Sequence, residues 1–447
     1  MSEVREAYKV LDLALRVGEI LLSSGAGAAD VTATMLAITE HAGLRQADVD
    51  VTFTALRMGY QIDPDEPPLL LSRTVPQRDL DYDDLTRVQG LVNDLLRDRI
   101  DIAEARSRIA WLNSTGHYLP AWAAVVVAGV VGGSVSALLD GDLVVVGAAT
   151  LAGMVITVLM RYLNRERWPM FYQQAAGGLV ATVLALLTDA GGERLGIDVS
   201  TSLVITANIV MLLAGIGFLG AVQDALTGFY LTSAARIIEA LLSTAGLIAG
   251  VSAGLALAPP LGVSLLGVRP GRIELAAPPV VLLAGIVAAC AFAITCYAPL
   301  RALPAVAAST TGGLLAYLAV YQPSDTQPWA AGAAAVVIGV VSYGVAGRVR
   351  VPPLVVLVPA LVPLLPGLTL FRGLSYMADG DTMGILQLSA AAATTIALSA
   401  GVILGEYVAQ PLKRNARRIE SRLEHRLAGP RLIGVTHGQQ RRVRERS

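Results

Sequence analysis

Ten apolar segments follow one another between residues 119 and 408, and only short polar breaks separate them. Each segment is about as long as the roughly 20 residues that an α-helix needs to cross ~30 Å of hydrocarbon. We predict transmembrane helices at 119–139, 143–163, 171–190, 199–222, 234–258, 278–297, 304–320, 329–346, 351–372 and 383–408. Ten spans exceed what a membrane tether requires, so the pattern favours a path through the membrane.

A different pattern precedes these spans, because residues 1–117 are rich in Asp, Glu and Arg. Apolar residues at helical spacing predict a first helix that ends before Ser23 and a second that Asp30 could cap and Gly43 ends. Alternating apolar residues from Val49 to Ala55 predict one strand, and 69–75 is its expected partner. Two further helical patterns follow, around 82–97 and 102–113. The predicted order is ααββαα, an α/β domain.

The charge of the loops predicts how the chain is oriented. Arg and Lys are more frequent in alternate loops and at both flanks of the apolar region, and such residues favour the cytoplasmic side. Both termini are therefore expected in the cytoplasm, in a multi-pass protein of the cell membrane. The predicted divisions are a cytoplasmic domain at 1–117, two five-helix membrane halves at 118–260 and 278–410, and a basic tail at 411–447.

A weak internal similarity relates the two membrane halves. A shift of 152 residues places Leu212, Leu213 and Gly215 on Leu364, Leu365 and Gly367, and Gly228 on Gly380. One interpretation of so few matches in Leu- and Gly-rich segments is chance. The functional interpretation is an inverted repeat of two five-helix halves, a frequent plan of transporters. Both interpretations stay open.

Composition excludes several other classes of protein. The net charge of −1 gives no reason to expect nucleic acid as a partner, and the two cysteines and four histidines lack metal-ligand spacing. Ser24 to Gly27 resembles part of a phosphate loop, but a glycine-rich turn is preferred because no Walker motif follows. We expect no cofactor, no metal and no catalytic residue, hence no enzyme.

Polar side chains inside apolar spans are candidates for function because burying them in lipid is costly. Gln173 opens the third span, Asn208 lies in the middle of the fourth, and Asp224 closes the fourth. Arg236 and Glu239 are one helical turn apart in the fifth span. Asn208 is equally compatible with a structural hydrogen bond between helices, and Arg236 with a pair to Glu239.

The ninth span is unusual because it contains prolines up to Pro366-Gly367. Interior prolines remove backbone hydrogen bonds and break helices, and broken helices at membrane depth are tolerated where they line a cavity. A functional break is therefore expected in this span. Glycines of the fourth span, Gly215 among them, are expected to disturb their helix less than these prolines do, or to permit close packing of helices.

The sequence resembles the threonine/serine exporter family over nearly its whole length. The motifs that carry the resemblance are LLSSGAGAADVTATMLAITEHAGL (21–44), VDVTFTAL (49–56), FYQQAAGG (171–178), AGIGFLGAVQDALTGFYLTSAARIIEALL (214–242) and PALVPLLPGLTLFRGL (359–374). One departure is Ala214-Gly215 near the end of the fourth span, where the family usually has Pro-Gly. The resemblance implies export of threonine and serine driven by the proton-motive force, and in some relatives it implies succinate export.

Three hypotheses follow. The first is a secondary exporter of threonine or serine with protons as coupling ion, working in the lipid bilayer, in which an oligomer is compatible with the sequence. Asp224 is the expected partner of the substrate ammonium and a candidate proton carrier, and the backbone near Gly215 and Gly367 is the expected partner of the carboxylate. The further candidates are Asn208, Pro366, Thr369, Tyr376, Asp379, Gln173 and Glu239. The alternatives are a dicarboxylate exporter and a membrane-anchored hydrolase or sensor that acts through residues 1–117.

Overall fold

A computed structural model of the chain describes residues 2–63, 65, 67–75, 80–112, 119–195, 201–212, 215–259, 277–324, 327–366, 369, 372–373, 376–377 and 381–427. Its N-terminal domain contains four helices and a small antiparallel sheet in the order β1-β2-β3. The elements are α1 Ser2–Ser23, α2 Ala28–His41, β1 Asp48–Val51, β2 Ala55–Tyr60, β3 Leu69–Thr74, α3 Tyr82–Leu95 and α4 Ile102–Leu112.

Three details of this domain differ from the sequence-based prediction. The strand predicted from Val49 to Ala55 is divided into β1 and β2 by a tight turn, in which the Thr52 N–H donates to the Ala55 carbonyl over 2.9 Å. The returning strand β3 pairs with β2, with Met58 opposite Leu71. Helix α2 begins after Gly27, so Asp30 lies in its first turn and does not cap it. Alternation of apolar residues carries no signal for such a turn.

The apolar face of α1 forms the centre of the domain. Leu11, Leu15 and Leu22 of this helix are fully or almost fully buried, together with Met35 of α2 and Met58 of β2. These residues belong to one cluster of buried apolar side chains that continues into the membrane helices. The amphipathic pattern of α1 therefore results from packing on both the sheet and the other helices.

Eleven further helices follow in the described residues. They are α5 Ala121–Leu138, α6 Leu143–Arg165, α7 Met170–Leu195, α8 Thr201–Leu212, α9 Gly215–Leu226, α10 Tyr230–Leu255, α11 Pro278–Thr295, α12 Leu303–Ser324, α13 Gln327–Val345, α14 Pro353–Leu361 and α15 Met383–Leu427. Eight of the described helices are long and apolar enough to cross a membrane: α5, α6, α7, α10, α11, α12, α13 and α15. The chain is therefore an α-helical multi-pass membrane protein.

The other two predicted spans are not single long helices in the described residues. The predicted fourth span corresponds to α8 and α9, which have 12 residues each. In the ninth, α14 ends at Leu361, a 3₁₀ turn covers Val362–Leu364, and Leu365 is extended. Pro363 and Pro366 explain this ending, because a proline has no N–H to continue the helical hydrogen bonds.

Small residues bring the long helices together. A methyl group added to Gly178 of α7 would lie 2.7 Å from the Leu247 carbonyl oxygen of α10, and one added to Gly250 of α10 would collide with the Ala175 carbonyl oxygen. Gly405 of α15 contacts α13 in the same way, with its added methyl 2.6 Å from the Val336 carbonyl oxygen. Such close backbone contact is a usual means of helix association in lipid.

The closest helix pairs correspond in the two predicted halves. The third span packs on the fifth through α7 and α10, and the eighth packs on the tenth through α13 and α15. The first span of one half packs on the first span of the other through α5 and α11. This correspondence agrees with a duplicated arrangement, whereas its inversion across the membrane stays a prediction.

The N-terminal domain is packed directly on the membrane helices. Its Tyr82 N–H donates to the Cys296 carbonyl after α11 over 2.8 Å. The Thr232 hydroxyl of α10 donates to the Val51 carbonyl over 3.4 Å. The Ala28 N–H donates to the Asp224 carboxylate of α9 over 3.1 Å. These contacts position the domain over the ends of α9 and α10.

Candidate functional site

A large, partly open cavity lies between the N-terminal domain and the membrane helices. Its volume is about 2090 Å³. Residues of α2 and α3 form the wall on the domain side, and residues of α6, α7, α9, α10, α13, α14 and α15 form the opposite wall. A cavity with one wall in each region can bind a small molecule only while the two regions stay together.

Asp224 lies where the two walls meet. Its side chain is almost fully buried, and Oδ2 is 2.9 Å from Nη1 of Arg236, which is also buried. Its other oxygen, Oδ1, accepts the hydrogen bond from the Ala28 N–H at the start of α2. A cation and a helix N-terminus both stabilise a carboxylate in its ionised form. Each oxygen of Asp224 therefore contacts a positive partner, the Arg236 guanidinium group or the N-terminus of α2.

Local sequence allows this arrangement. Gly27 precedes α2 as its N-cap and has no side chain to cap the helix, so the carboxylate of Asp224 can approach its first turn. Gly220, one helical turn before Asp224, gives space to the guanidinium group, because a methyl group there would lie 2.8 Å from Arg236 Nη1. Gly220 thus makes room for the ion pair, whereas a methyl group at Gly27 would lie in ordinary contact with Asp224 Oδ1, at 3.7 Å.

Charged groups of both signs line the cavity. The acidic residues are Asp30, Asp94, Asp224, Glu239 and Glu406. The basic residues are Arg97, Arg99, Arg161, Arg167, Arg236 and Arg350. Amide side chains add neutral donors and acceptors, at Gln89, Asn93, Asn164, Gln173, Gln174 and Gln223. This mixture suits a small polar molecule that carries both charges, such as an amino acid.

Asp30 differs from Asp224 in its surroundings. Its side chain is exposed and lines the cavity, where the walls are close enough to desolvate the carboxyl group in part. Desolvation, followed by the negative charges of Glu406 and Asp224, raises the pKa of Asp30 from 3.8 to about 6. Both of these effects disfavour the ionised form. Asp30 can therefore gain or lose a proton near neutral pH.

The structure brings three of the predicted site residues to the cavity. Asp224, Glu239 and Gln173 all line it, and the Gln173 amide donates to the Trp168 carbonyl over 2.8 Å. Arg236 pairs with Asp224. The alternative considered from sequence, a pair between Arg236 and Glu239, is thus replaced by a contact between α9 and α10.

The other predicted residues do not meet at this cavity in the described part of the chain. Asn208 is fully buried, and its amide donates to the Val204 carbonyl of its own helix over 2.9 Å. Gly215 is the first residue of α9, next to the cavity-lining turn at Gly217. Pro366, Thr369 and Tyr376 are partly buried elsewhere. Gly367 and Asp379 lie outside the described residues.

Two charged residues of the cavity, Asp30 and Glu406, were absent from the predicted site, and Arg236 was considered mainly as a partner of Glu239. Arg236 and Glu406 had a signal, since each is a charge in or beside an apolar segment. Asp30 had none, because an acidic residue near a helix start is also the usual capping pattern. Its partners Asp224 and Glu406 lie far away in sequence, so only the packed structure brings them together.

Comparison with known proteins agrees with this architecture. Two family models, both described as threonine/serine exporter, match residues 12–258 and 281–408. The Mycobacterium tuberculosis (strain ATCC 25618 / H37Rv) protein named "Probable threonine/serine exporter" is 34% identical over 419 residues, which cover 92% of this chain and 78% of that protein. The Corynebacterium glutamicum "Threonine/serine exporter" is 31% identical over 425 residues, which cover 93% of this chain and 86% of that protein.

No solved structure matches the chain. The family assignment therefore stands on sequence similarity, and the arrangement of the cavity stands on the geometry described above. The first family model alone covers more than half of the chain, and both relatives align along nearly all of it. The chain belongs to the threonine/serine exporter family.

Proposed function

We propose that this protein exports threonine, serine or closely similar amino acids from the cytoplasm, driven by the proton-motive force. The observation that carries the proposal is the cavity between the N-terminal domain and the membrane helices, which is lined by both acidic and basic side chains. The names of the relatives give the substrate class of those proteins. Both termini are proposed to lie in the cytoplasm, so the cavity receives its substrate from there.

The charges of the cavity match those of a zwitterion. Arg236 is the proposed partner of the substrate carboxylate, because a guanidinium group has five N–H donors and can hold Asp224 and a second carboxylate together. Glu239 and Glu406 face the same cavity and are the proposed partners of the ammonium group. Asp224 is less suited to that role than its sequence position suggests, because Arg236 and Ala28 already bind both of its oxygens.

The hydroxyl group distinguishes threonine and serine from apolar amino acids of similar size. Gln223 and Asn164 line the cavity, and each amide can donate and accept a hydrogen bond. A site built to bind a hydroxyl group rejects analogues that lack it, because its own polar groups then stay unpaired. We therefore expect valine, which is close to threonine in size, to compete poorly.

One observation supports a second candidate, the export of dicarboxylates. Six arginines line the cavity, more than a single carboxylate group requires. A dicarboxylate such as succinate presents two anionic groups, and arginine binds each in a bidentate manner. The zwitterion is preferred because Glu239 and Glu406 face the same space and would repel a second carboxylate.

Competition in proteoliposomes separates the two candidates. The purified full-length chain is reconstituted with internal unlabelled threonine, and uptake of labelled threonine by counterflow is measured in the presence of serine, valine or succinate. We expect serine to inhibit strongly and valine and succinate to inhibit weakly. Strong inhibition by succinate, with none by serine, would favour the dicarboxylate.

The proposed role of Glu239 is tested by the isosteric change Glu239→Gln. It removes a negative charge from the cavity, so the apparent affinity for threonine is expected to fall about tenfold, the equivalent of one charge-assisted contact of about 1.4 kcal/mol. Glu40→Gln, on the exposed last turns of α2, is the matched control. Equal affinity in both variants would remove Glu239 from the site.

A further inference from the structure

The contact between the N-terminal domain and the membrane helices contains charged groups on both sides. On the membrane side, Asp224 of α9 binds the Ala28 N–H, the first amide of α2. On the domain side, Asp30 lies two residues further along the same helix and faces the cavity. One end of α2 therefore provides both an attractive contact and a group that can oppose it.

The groups that surround Asp30 come from four membrane helices. Asp224 of α9 and Glu406 of α15 act on it as negative charges. Tyr343 of α13 interacts with both Glu406 and Asp30. Arg236 of α10 is the nearby cation of this wall, and its guanidinium group is bound to Asp224.

The remaining charged residues of the cavity complete this description. Glu239 of α10 and Arg350 after α13 lie on the membrane wall, with Arg161 and Arg167 at the end of α6. Asp94, Arg97 and Arg99 lie on the domain wall at the end of α3. The negative charges that act on Asp30 are thus carried by the other side of the contact.

We propose that Asp30 is a proton-controlled latch, which holds the first turn of α2 on Asp224 at the edge of the cavity when protonated and loosens this contact when ionised. A neutral Asp30 leaves the bond between Ala28 and Asp224 undisturbed. An ionised Asp30 sets a third carboxylate beside Asp224 and Glu406 across the contact, and like charges at close range repel. This inference rests on the proposed function, because it gives the coupling proton a place and a mechanical effect.

Asp224 is the weaker candidate for that proton. Its two oxygens are bound by Arg236 and by the Ala28 N–H, so a proton on either oxygen would disturb one of these contacts. A group that must take up and release a proton needs comparable stability in both forms. Asp30 is closer to that requirement, because Glu406 and Asp224 favour its neutral form, the N-terminus of α2 favours its ionised form, and the cavity gives it access to solvent.

The direction of the pH effect follows from linkage. Burial, followed by the negative charges of Glu406 and Asp224 on the membrane helices, raises the pKa of Asp30 from its ordinary value of 3.8 to about 6. The docked state thus binds the proton more tightly than the undocked state, and docking weakens as the pH rises through this interval. A difference of about two pH units limits the effect to roughly 100-fold, and the open cavity will reduce it through solvent screening.

Hydrogen–deuterium exchange of the Ala28 amide tests the latch directly, because this amide bonds across the contact. Exchange of peptides covering residues 24–34 is measured in the full-length protein in lipid nanodiscs at several pH values. Wild type is compared with Asp30→Asn, an isosteric mimic of the protonated acid, and with Glu40→Gln near the other end of α2. Comparing variants at the same pH removes the intrinsic dependence of exchange on pH.

We expect Asp30→Asn to exchange about tenfold more slowly than wild type at pH 7.5, and equally at pH 5, where Asp30 is protonated. Glu40→Gln should follow wild type at every pH. Equal exchange in wild type and Asp30→Asn at pH 7.5 would overturn the proposal.

A second variant protects the test against a folding defect at Asp30. Glu406→Gln removes one of the negative charges that face Asp30, so the pH at which the Ala28 amide loses protection should move to a lower value. An unchanged midpoint would contradict the proposed repulsion. Hydrogen–deuterium exchange needs no substrate. If the expected exchange pattern were found in a protein that does not transport threonine, the proposed function would be wrong and the latch would still be supported.

Discussion

Asp12 and Asp30 belong to neighbouring helices of one small domain, yet their surroundings are opposite in charge. Asp12 accepts hydrogen bonds from Arg16, Arg73 and Arg106 at 3.0–3.1 Å. Burial alone would raise the pKa of Asp12, but Arg73, Arg106 and Arg16 outweigh it and lower the pKa below its ordinary value. Asp30 faces carboxylates, and its pKa is raised.

One carboxylate thus has a structural role, and the other has a proposed functional role. A carboxylate surrounded by arginines stays ionised at every physiological pH and connects α1, β3 and α4 through them. Asp30 faces other carboxylates, which raise its pKa, and it is the group that we propose responds to pH. The same domain thus has one face that stabilises its fold and one that we propose responds to pH.

The largest expected effect comes from Asp224, the paired carboxylate on the cavity side. Asp224→Ala leaves the buried guanidinium group of Arg236 without its partner, which costs about 3–5 kcal/mol in comparable buried pairs. We expect a clear fall of the thermal unfolding temperature of the full-length protein in detergent, and loss of threonine counterflow.

A double variant controls this prediction. Asp224→Ala combined with Arg236→Leu removes both charges, so it should regain much of the lost stability without regaining counterflow. If the double variant were as unstable as Asp224→Ala alone, the ion pair would not be the cause of the loss.

Asp12→Ala is expected to have the next largest effect. It removes the shared partner of Arg16, Arg73 and Arg106, whose side chains are about one-third exposed, so screening reduces the cost to about 2 kcal/mol. Counterflow per folded molecule should stay at the wild-type rate. Asp50→Ala on β1 is the exposed control. A loss of counterflow in Asp12→Ala at unchanged stability would mean that the face around Asp12 and the face around Asp30 are not separate in function.

Gly220→Ala should have a smaller effect on the ion pair. The added methyl group would lie 2.8 Å from Arg236 Nη1, and this group is the end of a flexible side chain that can move aside. We expect a loss of stability of about 1 kcal/mol in the thermal assay. Gly217→Ala is the matched control for stability, because no heavy atom lies within 4 Å of its added methyl group.

The smallest effect on stability is expected at Asp30, where the substitution stabilises the protein and the other substitutions destabilise it. Since its folded pKa is raised, the folded state loses stability as the pH rises from 3.8 to about 6, and Asp30→Asn removes this loss. The unfolding temperature of Asp30→Asn at pH 7.5 should therefore exceed that of wild type by about 1–2 °C. An unfolding temperature of Asp30→Asn below that of wild type at pH 7.5 would contradict this sign.

Asp12 gives the opposite pH dependence. Because its folded pKa is lowered, its stabilising contribution is fully present above pH 3.8 and is lost as the pH falls through the folded pKa. Between pH 5 and pH 8 the difference between wild type and Asp12→Ala should therefore stay constant. The same thermal assay at these two pH values separates the two carboxylates.

Much of the membrane region could be predicted from sequence, because the thickness of the bilayer fixes the length of an apolar helix. The eight described helices that are long enough to span all coincide with predicted spans. The proline-rich ninth span ends its α-helix at Leu361, as its composition indicates. The exact number of spans was less predictable, since hydropathy does not distinguish one long helix from two short ones such as α8 and α9.

The cavity could be predicted only in part. Asp224 and Glu239 were recognisable because charges are rare in apolar segments. Their partners were not, because the contact between Ala28 and Asp224 joins residues 196 positions apart and leaves no local pattern. Asn208 stays a prediction, because a buried amide that bonds to its own helix has the same sequence signature as a binding residue.

Counterflow of labelled threonine in sealed proteoliposomes tests the central claim most directly. The purified full-length chain should exchange external labelled threonine for internal unlabelled threonine or serine well above protein-free liposomes, and Asp224→Ala should reduce this to the background. Wild-type protein that exchanges neither amino acid above the protein-free background, with its fold intact by thermal unfolding, would contradict the account.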